Sequence, residues 1–187
     1  MQDQASPLNP IEIDVARLPT KGRHMKISVS AEEISALVKS FSLSDVTDFK
    51  AELHISRWRR DGVNVEGELK AKITQPCVVT LEPVTQIISE DIAHILVPEG
   101  SPFAKPKLDD SGELVLDPEG ADLPDTFEGT VIDLSRILLE VFALVIDPHP
   151  RAEGVSLDDI YKSKNDEDEA PLSPFAVLAQ LKNGKGE

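Results

Sequence analysis

"DFKAELHISRWRRDGVNVEGELKAKIT", residues 48–74, decides the fold class. Phe49, Ala51, Leu53 and Ile55 alternate with Lys50, Glu52, His54 and Ser56. The second half keeps the same rhythm. Val63, Val65, Gly67, Leu69, Ala71 and Ile73 fall on one side, and Asn64, Glu66, Glu68, Lys70 and Lys72 on the other. A period of two with one apolar and one polar set marks strands that bury one face and wet the other. Asp61-Gly62 between the halves predicts a hairpin, with Gly62 supplying the positive φ of a primed turn.

Outward from this hairpin, the pattern adds further elements. "IEIDVARL" (11–18) and "HMKISVS" (24–30) alternate and predict two strands. Ser30 followed by Glu33 reads as a capping box, with Ile34, Leu37, Val38 and Phe41 at helical spacing behind it, so a helix is expected over 31–41. Pro76 interrupts the ladder, and residues 77–81 and 84–97 are expected to form a second hairpin around Glu82-Pro83. Residues 99–128 hold nine acids against two lysines and few large apolar side chains, which predicts a flexible acidic insertion. Order resumes with a short strand over 130–132. Asp133 is the N-cap of a helix running to residue 146, with Leu134, Ile137, Leu138, Val141, Leu144 and Val145 as its apolar stripe; Pro148 and Pro150 stop it. "NDEDEA" (165–170) reads as a solvated linker. Ser173 and Pro174 open a terminal helix with Phe175, Leu178 and Leu181 on one face. There is no internal repeat.

The expectation is therefore an α+β fold: a bent antiparallel sheet or partial barrel covered by two or three helices. It occupies one domain over 10–154, followed by an acidic linker and helix over 155–187. The 187 residues are 40% hydrophobic but only 4% aromatic, so the core must be mostly aliphatic. The net charge of −15 opposes nucleic acid and anionic membranes overall, unless a local basic patch reverses it. One cysteine excludes an internal disulfide and fits a reducing cytoplasm. The N-terminal residues lack a basic stretch followed by an apolar run, so no signal peptide is expected, and no apolar run reaches membrane-spanning length.

The chemical candidates are few. A zinc site needs about four ligands. Cys77 is alone, and His24, His54, His94 and His149 are scattered, so no metal and no cofactor are expected. Cys77 has no neighbouring base in the sequence, and reads as a small buried residue. Asp109-Asp110 and Asp158-Asp159 read as solvated pairs. In "DPHPRAEG" (147–154), Arg151 either grips a phosphate or carboxylate or caps the preceding helix. Two basic clusters stand out. Arg17, Lys21, Arg23 and Lys26, with His24, contain no acid between them. Arg57, Arg59 and Arg60 flank Trp58 beside the hairpin turn. Arginines with an aromatic at a hairpin tip suit phosphate contact and base stacking. Lys70 and Lys72 would enlarge the patch if they shared its face. The competing reading is a solvated hairpin end with Trp58 covering the sheet.

"CVVTLEPV" (77–84) after "VEGELKAKITQP", "VIDLSRILLEVFALVIDPHPR" (131–151) and "SPFAVLAQLK" (173–182) together resemble the YceD family of large ribosomal RNA subunit accumulation proteins, in the form common to its alphaproteobacterial branch. The resemblance rests on Cys77, Leu81, Glu82 and Pro83, on Asp133, Pro148 and Pro150, and on Pro174 and Phe175. It covers roughly residues 10–98 and 129–182. The family often carries a cysteine pair before Leu-Glu-Pro; Val79 and Thr80 stand here where Arg and Cys would. The departure argues against metal binding and removes any site carried over through Cys77. The resemblance implies a cytoplasmic, non-enzymatic factor for large-subunit ribosomal RNA accumulation. Its expected partner is ribosomal RNA or a basic large-subunit ribosomal protein, with no membrane and no DNA. RNA contact would use Arg57, Trp58, Arg59, Arg60, Lys70, Lys72, Arg23 and Arg151. Shielding of a basic protein would use the acidic segments 99–128 and 165–169. Two other classes stay open: a small phosphate- or RNA-processing enzyme built on the Asp147–Arg151 loop, and an adaptor acting through its C-terminal helix.

Overall fold

The computed structural model describes residues 6–104 and 123–155. Its centre is three long antiparallel strands, β3 (Asp45–Trp58), β4 (Gly62–Pro76) and β5 (Pro83–Pro98). β2 (Arg23–Ser28) adds antiparallel to β3, and β6 (Asp125–Phe127) adds parallel to β5. The order is β2-β3-β4-β5-β6, an open mixed sheet that does not close into a barrel. β1 (Glu12–Asp14) and β7 (Val131–Asp133) form a separate two-stranded antiparallel ribbon. Helices α1 (Ala31–Ser40) and α2 (Leu134–Val145) complete an α+β arrangement.

The alternation read from residues 48–74 holds in the register. Ala51, Leu53, Ile55, Val63, Val65, Leu69, Ala71 and Ile73 are buried. Between Thr47 and Lys50 the β3–β4 register shifts, and Asp48 takes φ 55°. Aspartate tolerates this left-handed backbone. The bulge turns Val46 and Phe49 to the same buried side, three residues apart in sequence. Phe142 of α2, with no exposed surface, meets Phe49 and Phe41 edge-on, each at 5.2 Å between ring centres. Burying one such ring contributes roughly 1.5–3 kcal/mol.

Both helices start as their caps dictate. The Ser30 hydroxyl accepts from Glu33 N–H, and Glu33 accepts from Ser30 N–H. The Ser30 and Asn9 backbone N–H groups both donate to the Glu33 carboxyl and hold it below its usual range. Asp133 Oδ1 accepts from Ser135 N–H at 3.0 Å, Ser135 Oγ–H at 2.7 Å and Ile11 N–H at 2.9 Å. One carboxylate thus caps α2 and anchors the chain entering β1. Leu144 was expected in the α2 stripe, yet it is 79% exposed. The buried stripe centres on Leu138, so Leu144 falls past its margin and Phe142 takes the buried place.

Three further expectations change. The strand over 11–18 ends at Asp14, whose side chain accepts from Ala16 N–H and bends the chain into a 3₁₀ turn over Val15–Arg17. Residues 77–81 form no strand; Pro76 pairs with Pro83 and residues 77–82 loop out between them. Gly62 does not have positive φ. Arg59, at φ 52°, turns the chain instead, and Gly62 opens β4 opposite Trp58. A Cβ there would stand 2.8 Å from Trp58 Cε3 and 3.0 Å from the Leu96 carbonyl oxygen, so close packing selects the glycine. The flexible-insertion expectation falls partly on described residues: a 3₁₀ turn over Pro102–Ala104 and β6 flank 105–122. Residues 105–122, the acidic run at 165–170 and the terminal helix with Pro174 and Phe175 lie outside the described residues.

Candidate functional site

The two basic clusters meet at one end of the sheet. Arg57 lies on the β3 arm of the hairpin, and its guanidinium turns back onto the 16–18 loop. Nε donates to the Leu18 carbonyl at 3.2 Å, and Nη2 donates to Leu18 and Ala16 carbonyls at 3.0 and 3.3 Å. Planar donors on a fixed fork suit such a clamp, which a lysine could not reproduce. Arg23 pairs with Ile55, two residues before Arg57 on β3, so it enters the same neighbourhood. Arg17, Lys21, Arg23, Arg57, Arg59 and Arg60 are all exposed. Arg17 is partly neutralised by Asp14 at 3.1 Å, a solvent-exposed pair that counts for little in stability.

Trp58 does not stand free at the tip. Its ring meets Phe103 edge-on at 5.5 Å, and the Arg59 guanidinium lies 4.5 Å from both ring centres. Arg59 is thereby oriented by cation–π contact with two rings. Arg60 carries no such contact among the described residues.

Lys70 and Lys72 do not join this end. They sit eight and ten residues along β4 from Gly62, which is roughly 26–33 Å of strand. Lys70 pairs with Glu68 at 2.7 Å, and Lys50 stands opposite it on β3. Between the two basic regions the outer face is acidic. Glu52, Glu68 and Asp91 share one cross-strand row, with Lys26 bonded to Glu52 at 2.8 Å. Hydrogen bonds from Lys26 to Glu52, and from Lys70 and Ser89 to Glu68, hold both carboxyls below their ordinary range. His24 and His54 stack at 4.2 Å on the neighbouring row.

The opposite end contains Cys77. The residue has no exposed surface. Its sulfur accepts from Val79 N–H at 3.4 Å, Thr80 N–H at 3.5 Å and Ala152 N–H at 3.4 Å. Val78 N–H donates to the Pro150 carbonyl at 2.9 Å, and Cys77 N–H to Glu82 at 2.8 Å. Cys77, Glu82 and Pro150 therefore tie the 77–82 loop to the exit of α2. Leu81, at φ 64°, projects its side chain outward with 77% exposed. Hydrogen bonding from the Thr80 side chain, then from Thr80 and Ala152 N–H groups, lowers the thiol to about 6 against the opposing effect of burial. No group of three or more His, Cys, Asp or Glu able to hold a metal occurs among the described residues.

Arg151 does not cap α2, although the sequence offered that role. The helix exit belongs to the sheet: Gln86 Nε2 donates to the Val145 carbonyl at 2.7 Å, Gln86 Oε1 accepts from Asp147 N–H, and Gln75 Nε2 donates to the Asp147 carbonyl. Arg151 is exposed, and so is His149. Sequence reading missed both glutamines, which sit in strand patterns without any cap signal. It also missed Asp61 as more than a turn residue. Asp61 Oδ1 is buried with no hydrogen-bond partner among the described residues, and Asp61 lines a cavity of about 180 Å³ beside Arg57.

The loop around Cys77, the Asp133 cap and the proline exit are the features a family comparison can weigh. A family model described as "Large ribosomal RNA subunit accumulation protein YceD" matches residues 65–182, more than half of the chain. The chain belongs to the YceD family. Membership implies a role in the accumulation of the large-subunit ribosomal RNA, and the family is not named for an enzymatic activity. The YceD match begins at Val65, so the Arg57–Arg60 tip and the 17–26 cluster lie outside it. No curated protein and no solved structure matches the chain. No helix among the described residues is long and apolar enough to cross a membrane.

Proposed function

We propose that this protein acts in the cytoplasm during large-subunit assembly by binding, without catalysis, and that it contacts ribosomal RNA through its basic end. The observation that carries the proposal is the Arg57 clamp, which joins two cationic clusters some forty residues apart in sequence. Arg17, Lys21, Arg23, Arg59 and Arg60 then present charge on one end of a protein whose net charge is −15. Such segregation supports oriented docking: the tip attracts phosphates while the acidic outer face is repelled by them. Trp58 and Phe103 hold Arg59 in place. Lys70, Lys72 and Arg151 are left out of this interface because of their distance or position.

The test is salt-dependent binding to fragments of large-subunit ribosomal RNA. If five cations each neutralise one phosphate of a single strand, log K falls with log salt at a slope of about −3.5. Replacing Arg59 and Arg60 with Ala is expected to flatten the slope by about 1.4. A binding curve indifferent to these substitutions would remove the tip from the interface. Binding to a purified basic ribosomal protein that is insensitive to the tip, with no RNA binding, would favour the shielding mode through the acidic segments.

A further inference from the structure

The loop over 77–82 holds out a side chain that the described fold does not use. Leu81 takes φ 64°, a left-handed backbone that glycine adopts freely and leucine only under strain. Its side chain is nevertheless 77% exposed, and Val78 in the same loop is 50% exposed. A single apolar residue at the surface is ordinary. A strained one pointed outward from a fixed loop is not, because glycine would close the turn without strain. The loop is well fixed. Leu81 N–H donates to the Cys77 carbonyl at 3.0 Å, Cys77 N–H to the Glu82 carbonyl at 2.8 Å, and Val78 N–H to the Pro150 carbonyl at 2.9 Å. Pro83, also exposed, continues the apolar surface just past Glu82.

The chain itself brings an occupant to this place. Ala152 N–H donates to the Cys77 sulfur at 3.4 Å, and the described residues end at Val155, three positions later, so the C-terminal segment sets out from beside the loop. Residues 156–172 are rich in acids, but over 174–181 Gln180 is the one polar residue. Phe175, Leu178 and Leu181 recur every third position there, the spacing that places them on one face of a helix. Even as a random coil, the seventeen residues 156–172 would span on average roughly 21–25 Å. A segment tethered at that range meets the loop at an effective concentration on the order of millimolar, so a weak apolar contact suffices to hold it. Charge agrees with this seat. Lys182 and Lys185 close the segment, and Glu82, the exposed neighbour of Leu81, is opposite to them in sign.

We infer that the loop over 77–82 is the docking site for residues 173–182 of the same chain, with the Phe175, Leu178 and Leu181 face covering Leu81 and Val78. The inference does not depend on the RNA-binding reading of the tip. The experiment is hydrogen–deuterium exchange of the full chain at micromolar concentration, read by mass spectrometry against a free peptide of residues 171–187. Amides over 175–182 are expected to exchange at least about ten-fold more slowly in the chain than in the peptide, the mark of a segment docked for most of the time. Glycine takes the Leu81 backbone freely, so Leu81→Gly removes the side chain and leaves the loop intact; it should return the segment to the peptide rate. Leu81→Asp should do the same, and Phe175→Asp should speed exchange in the 77–82 loop. Circular dichroism shows whether each variant is folded, and the wild-type comparison with the peptide stands without them. A wild-type segment that exchanges at the peptide rate overturns the docking. Slow exchange that Leu81→Gly leaves unchanged overturns the loop as its seat. Slow exchange that grows with protein concentration assigns the segment to a second copy. Slow exchange that appears only when ribosomal RNA or a basic ribosomal protein is added assigns it to that partner. Either of these last two results overturns the contact within one chain.

Discussion

At the scale of single residues, the same side-chain type does different work according to what surrounds it. Cys77 offers a nucleophile in the sequence, but in the structure it is an acceptor for three backbone N–H groups with no surface exposed to a substrate. That arrangement has a pH signature. The folded thiol titrates at about 6, below its ordinary 9.0. A folded-state pKa below the unfolded one adds stability that is complete above about pH 9, shrinks as pH falls, and is gone below about 6. The stability gap between wild type and Cys77→Ala should therefore widen from pH 5 to pH 9 in denaturant melts; a gap that is constant or narrows with pH would show that the thiolate is not held. Alkylation by iodoacetamide should be slow at pH 7 in the folded protein and fast in denaturant, since access limits it. The arginines diverge in the same way. Arg57 spends its donors on two carbonyls, Arg59 lies against two rings, and Arg60 and Arg151 face solvent. Nothing in "SRWRRDG" distinguishes these fates, because the carbonyls that hold Arg57 and the Phe103 ring beside Arg59 lie far away in the chain.

At the scale of elements, the β3–β4 hairpin was legible because its period of two runs through both arms, and α1 because its capping box is local. What was not legible is how closely the strands approach. Gly67 stands opposite Leu53, and a Cβ there would collide with the Glu52 carbonyl oxygen and come within 2.9 Å of Leu53 Cα. The backbones of β3 and β4 touch where a side chain would otherwise keep them apart. Gly67→Ala is expected to destabilise by about 1–3 kcal/mol, the usual cost of overpacking, despite the better strand propensity of alanine. Urea denaturation measures it, and a neutral or stabilising result would mean the strands can part without cost. The α2 exit makes the same point. Its last carbonyl, on Val145, accepts from Gln86, 59 residues away, and the Asp147 carbonyl just beyond it accepts from Gln75, 72 residues away. A helix C-terminus can be closed by any nearby donor, so the adjacent Arg151 was a reasonable but mistaken candidate.

At the scale of the whole molecule, charge segregation matters more than net charge. The basic end, the acidic middle of the outer face and the Lys50–Lys70–Lys72 region follow one another along the sheet. Arg57 holds the first of these together. Arg57→Ala should lower thermal stability modestly, since the exposed clamp contributes little beyond about 1.5 kcal/mol. It should weaken RNA binding more than the loss of one charge predicts, because the 17–23 loop is released as well. Binding of Arg57→Ala at several salt concentrations separates these effects: a change in slope of about 0.7 is one lost contact, and a larger change is a lost cluster. The sequence by itself determined the α+β class, the buried and exposed faces of the central hairpin, both helix starts and the family resemblance. Each of these is written in periodicity, caps and short motifs that act within a few residues. Only the tertiary structure decided that the two basic clusters meet, that Lys70, Lys72 and Arg151 stand apart from them, and that one carboxylate oxygen of Asp61 is buried. Those placements depend on segments tens of residues apart, set by strand pairing and by where loops close, and no local pattern encodes them.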